Sequence, residues 1–227
     1  MSFTNFIKEL NGKRIEGELL ASMFYSLLTS SIFLTILYFI TKNNFPSLIQ
    51  DYGYYLAFSA LSYAIIMPSL KHVGAYKELP CMNGMMIGMT MGMISSFLVG
   101  FYVAGTNGMF IGGFFGVLIG ASLGMYLGKC CGVMGSMEGI MAGFMGGLMG
   151  AMTAFMLIND HLKLAGILVF FISAIIITKL HYMVYIETKE REVDNKEDFF
   201  KIIFMTFILM TLTSLLILFG PRSALFA

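Results

Sequence analysis

Residues 133–156 read VMGSMEGIMAGFMGGLMGAMTAFM, a stretch with seven methionines and a single charge, Glu138. An apolar run of this length is what a hydrocarbon layer about 30 Å thick requires of a helix. Six further runs of the same kind flank it, at 18–41, 53–70, 80–103, 108–129, 163–186 and 200–219, of which the second is the shortest. The 227-residue chain is 58% hydrophobic and only 12% charged, with a mean hydropathy of +0.83. A soluble domain of this size needs far more polar surface. The expectation is an all-α, polytopic transmembrane helix bundle of about seven spans. Residues 1–17 form a cytoplasmic lead-in and 18–227 a single transmembrane domain, with a Met/Gly-rich core at 80–157 and a charged cytoplasmic linker at 187–199.

The first run is too long for a signal-peptide core and no small-residue cleavage site follows it, so it is expected to be retained. The distribution of Lys and Arg sets the orientation. With the N-terminus cytoplasmic, the inner side carries Lys8, Lys13, Arg14, Lys71, Lys77, Lys129, Lys179, Lys189, Arg191, Lys196 and Lys201, and the outer side only Lys42, Lys163 and Arg222. That positive-inside bias predicts a multi-pass protein of the cell membrane with its N-terminus in and its C-terminus out. No basic cluster invites nucleic acid. The three cysteines, Cys81, Cys130 and Cys131, fall at cytoplasmic helix ends in this topology, where thiols stay reduced.

Glycine is periodic in the core. Gly108, Gly112, Gly116, Gly120, Gly124, Gly128 and Gly132 recur at every fourth residue; Gly84, Gly88, Gly92 and Gly100 keep the step with Ser96 in the gap, as do Gly135, Gly139, Gly143 and Gly147. Small residues at this spacing let helix backbones touch in lipid. This predicts glycine-zipper central helices, with the fourth span in the middle because its row advances about 40° at each step. No phosphate loop hides there: Leu123 stands where the first Walker glycine belongs, and Cys130 follows Lys129.

Methionine is patterned as well. Met134, Met137, Met141, Met145, Met149, Met152 and Met156 step by three or four and hold one helix face. Met82, Met85, Met86, Met89 and Met93 do the same in the third span, starting beside Cys81. Methionine is a flexible gap filler, yet the other spans use Leu, Ile and Phe freely. Soft thioether and thiolate ligands select Cu(I), with Ag(I) as a mimic. A ladder of weak neutral ligands also lets an ion enter and leave. Glu138 lies within the methionine face, about one turn from the cytoplasmic end, where its charge would offset that of a monovalent cation; an intramembrane carboxylate is a functional-site candidate. The expected metal site therefore comprises the twelve methionines named here with Cys81, Cys130, Cys131 and Glu138. Asp160 and His161 with Met156 form a weaker candidate for an outer mouth, Lys179 reads as a snorkelling inner-end lysine, and His181 as an interfacial histidine. No nucleophile–base constellation or HExxH motif is present, and an enzyme is the least favoured class.

The pair of Met85-x-x-x-Met89 with the GxxxG runs resembles the eukaryotic CTR copper transporters over about two spans, which implies passage of Cu(I) along rings of sulfur. The stretch from CMNGMM at residue 81 onward also looks like methionine- and glycine-rich prokaryotic membrane proteins of uncertain role. The functional expectation is binding and transport of Cu(I) through a methionine-lined path between the third and fifth spans, with a Cys/Glu cluster at the cytoplasmic end. Expected partners are the bilayer, the copper ion, a cytoplasmic copper carrier and further copies of the chain. Two rival readings stand beside it: a glycine-zipper structural protein or channel whose methionines only pack, and a methionine-lined groove for a partner helix.

Overall fold

The computed structural model describes residues 15–44, 46–74, 80–158, 160–188 and 199–220. These form seven α-helices: α1 Ile15–Asn44, α2 Pro46–Gly74, α3 Cys81–Asn107, α4 Met109–Gly128, α5 Gly132–Met156, α6 Leu162–Thr188 and α7 Phe199–Phe219, with a 3-10 turn at Lys129–Cys131 between α4 and α5. Among the described residues there is no strand. Continuous helix is the form in which an apolar segment can satisfy its own backbone in lipid. Among the described residues, six of the helices, α1 to α6, are long and apolar enough to cross a membrane. The chain is thus a helical bundle of multi-pass membrane type. The run at 53–70, the shortest in sequence, lies in the 29-residue α2 and is one of the six; in the 21-residue α7 the apolar stretch among the described residues is Ile203–Leu218. The lead-in and the charged linker lie outside the described residues, apart from a few residues at their edges.

The bundle has two parts that share α3. On one side α3, α4 and α5 pack on one another; on the other α3 meets α2, α6 and α7, with α1 lying on α2 and α7. Of the α3 span 72% is buried, against 50% of α4 and 44% of α5. The central helix is therefore α3, and the expectation that placed α4 there is corrected. The drift of the α4 glycine row explains the difference. A Cβ on Gly112, Gly116 or Gly120 would meet Ala104, Gly100 or Ser96 of α3, whereas one on Gly124 or Gly128 would meet Gly139 or Gly135 of α5. The row is handed from one partner to the other, and two partners absorb it. The remaining face of α4 carries Phe110, Phe114 and Leu118 on the outside.

The seven evenly spaced glycines serve two different needs. The inner ones allow main-chain contact: a Cβ on Gly124 would lie 2.5 Å from the Gly139 carbonyl oxygen. The two end ones make turns. Gly108, with φ 98°, is the only residue between α3 and α4, and Gly132, with φ 67°, follows the 3-10 turn. Both conformations suit glycine because no Cβ obstructs them. At Gly132 nothing lies within 4 Å of the Cβ position, so backbone conformation alone explains that residue.

Polar side chains fasten the other side. The Tyr102 hydroxyl donates to the Gly166 carbonyl at 3.1 Å, Asn107 donates through its side-chain amide to Leu216, and the Tyr54 hydroxyl to Lys163. His181 is 4% exposed and shares a 3.0 Å hydrogen bond with the Ser69 hydroxyl, joining α6 to α2. The ring, read as interfacial from the sequence, is a buried contact between helices.

Candidate functional site

The geometry of the site follows from the α3–α5 seam. The two helices run parallel, with Gly92 against Gly139 and Gly100 against Gly147. A Cβ on Gly100 would sit 2.8 Å from the Gly147 carbonyl oxygen, so main chain touches main chain and no room is left between the helices for a row of side chains. Ser96 completes the seam: its buried hydroxyl points to the Gly116 carbonyl of α4 at 2.9 Å and to the Gly143 carbonyl of α5. In sequence this serine only fills a gap in the glycine step, and that substitution was the available signal for it.

The methionines stand along the outer edge of this seam. Met82, Met86, Met89 and Met93 on α3 are exposed, and Met85 is half-buried. On α5, Met134, Met137, Met141, Met145, Met149, Met152 and Met156 are all exposed, from 42% at Met152 to 71% at Met156. Gly146 lies against the Met93 main chain and Gly150 against that of Phe97. Sulfur from both helices therefore shares one level only up to about Met93 and Met145. Beyond that level α3 offers Phe97 and then the buried Phe101, and the sulfur face continues on α5 alone. The methionines of α3 and α5 thus form an exposed strip along the edge of the seam.

Glu138 falls inside this strip and is half-buried. Among the described residues it has no ion-pair or hydrogen-bond partner. At the same end, the exposed Cys81 and the half-buried Cys131 are free thiols, and the Cys131 thiol donates to the main-chain carbonyl of Cys81. The side chain of Cys130 lies outside the described residues. Among the described residues, no three His, Cys, Asp or Glu side chains come together as a metal-holding group. The expected cytoplasmic cluster is therefore brought together as far as Cys81 and Cys131, with Glu138 further along the face.

The weaker candidates separate. His161, with φ 38°, begins α6, its carbonyl accepting from the Leu164 and Ala165 amides; Asp160 beside it is exposed, as is Met156. Lys179 is exposed, and the Lys129 ammonium stands 5.9 Å from the centre of the Tyr126 ring. Compared with protein-family models, curated proteins and solved structures, the chain matches none of them.

Proposed function

We propose that this protein binds Cu(I) on the methionine strip of α3 and α5 and passes it along the membrane normal, with Ag(I) as a substitute ion. One observation supports the reading above others: the kind of side chain on each outward face. The outward faces of α1 and α6 carry Leu, Ile, Phe and Tyr, as at Leu27, Ile32, Phe39, Leu168, Phe171 and Ile175, whereas α3 and α5 expose eleven methionines, beside Val133, Ile140, Phe144, Leu148 and Phe155. Contact with lipid alone is met equally well by Leu or Ile. Thioether adds a soft, uncharged donor, and Cu(I) is the biological ion that such donors select. Glu138 supplies the negative charge that a row of neutral ligands lacks, and Cys81 with Cys131 marks the cytoplasmic end. In this reading the inner glycines of the three core helices act as a zipper, the N-terminus is cytoplasmic, the C-terminus is outside, and the membrane is the cell membrane.

The test is a variant with Met85, Met89, Met141 and Met145 all changed to Leu. Volume and hydrophobicity are nearly conserved, so loss of Cu(I) stoichiometry in a folded protein supports the proposal, and an unchanged stoichiometry removes it. Glu138→Gln should weaken Cu(I) binding about tenfold, or about 1.4 kcal/mol. A second reading, a surface for a partner helix, draws on the same exposure, because methionine accepts varied apolar shapes. It predicts a partner that copurifies equally with the wild type and the leucine variant.

A further inference from the structure

On the other side of α3, away from the sulfur strip, a small cavity of about 10 Å³ lies where α2, α3 and α7 meet. Its polar lining is made of hydroxyls: Ser59, Ser62 and Tyr63 from α2, Tyr102 from α3 and Thr213 from α7. Four of them direct their proton to a main-chain carbonyl. Ser59 donates to Leu56 at 3.0 Å, Ser62 to Phe58 at 2.8 Å, Thr213 to Leu209 at 2.9 Å and Tyr102 to Gly166 at 3.1 Å. Each oxygen keeps acceptor capacity in reserve. The fifth differs: the Tyr63 side chain is 1% exposed, and its hydroxyl oxygen faces Thr213 without a partner inside hydrogen-bond distance. A buried hydroxyl left unpaired is costly, and more so in a bundle surrounded by hydrocarbon.

We infer that this cavity is a binding site for one water molecule, which accepts the Tyr63 proton and donates to two of the surrounding hydroxyl oxygens. The volume admits one water and no more, and the partners number within the range such waters have. The chemistry fits in both directions, since the site offers one spare donor and several spare acceptors. A bare cation would leave the Tyr63 proton unused and would find no anionic ligand among these five hydroxyls. The water links three helices at once and ties α7 to α2 and α3.

The test uses Val99, which also lines the cavity. Val99→Ile adds a methylene where the water would sit. If the water is present, Val99→Ile displaces it and leaves Tyr63 unpaired, so the thermal midpoint of the purified full chain falls by about 2–4 °C. In a Tyr63→Phe background the same change fills a space with no donor to satisfy, and the midpoint stays level or rises. Equal shifts in both backgrounds overturn the inference. A structure in a lipid nanodisc that resolves ordered water provides a second reading independent of any variant. One density peak within hydrogen-bond distance of the Tyr63 hydroxyl supports the site, and a direct Tyr63–Thr213 bond with no peak overturns it. The midpoint should also be the same in sodium chloride and choline chloride; a dependence on sodium would assign the cavity to a cation and overturn the water.

Discussion

Where α3 meets α5, Gly92 and Gly100 bring main chain against main chain; where the same helix meets α6, Tyr102 reaches across to Gly166 through a full aromatic side chain. One helix thus joins two neighbours by opposite means. On the glycine side the side chains have been removed and the fit is set by backbone shape. On the other side large rings, such as Phe58 at 6.3 Å from Tyr102, fill the space and hydroxyls fix the register. Helices in lipid gain nothing from hiding apolar surface, so either close packing or polar contact must hold them together. This protein relies mainly on close packing on one flank of α3, with the Ser96 hydroxyl added, and on polar contact on the other. The difference teaches where the two flanks tolerate change: the glycine flank has no room for an added methyl group, while the aromatic flank loses one interaction at a time.

The sharpest way to break this contrast is a side chain placed in the glycine flank. In Gly139→Val the Cβ would lie 2.3 Å from the Gly124 carbonyl oxygen. The cost is expected to exceed about 3 kcal/mol, the upper end for overpacking, and to appear as loss of monodisperse protein on size exclusion in detergent. Gly132→Ala tests the turn glycine, where space is open and φ is positive. Its expected cost is about 1–3 kcal/mol, the penalty of a backbone region that only glycine populates readily, measured by denaturant unfolding in mixed micelles. On the aromatic flank, Tyr102→Phe removes the bond to Gly166 while keeping the ring. About 0.6 kcal/mol is expected, the average for a hydrogen bond between membrane helices, and a loss as large as that of Gly139→Val would erase the contrast. The smallest effect on stability belongs to the outward strip: Met141→Leu and Met145→Leu should each stay within about 0.5 kcal/mol.

Length and composition made the helical membrane class legible, and the step of four located the residues at which helices touch. Sequence alone did not say which side of the methionine row faces outward. In a soluble protein the contrast between apolar and polar faces orients a helix; in lipid both faces are apolar, and that signal vanishes. The exposed Met89 and the buried Met91 are chemically identical and two residues apart. The same silence put α4 at the centre in place of α3, since a drifting glycine row reports several contacts without reporting how many neighbours make them. His181 looked interfacial because a titratable ring near a helix end usually is. Its burial depends on Ser69, more than a hundred residues away, and no local pattern announces that pairing. Tyr63 is similar: the hydroxyls around it come from three helices and share no motif.

The shortness of the link at Gly108 has a consequence for motion. With one residue between α3 and α4, the two helices have no slack for sliding along each other or for separating at that end. The 3-10 turn and Gly132 restrict α5 nearly as much. Carbonyl oxygens facing bare glycine Cα atoms also act like teeth in a rack, because a shift along the axis drives them into the next Cβ. Internal rearrangement of α3, α4 and α5 is therefore mechanically disfavoured.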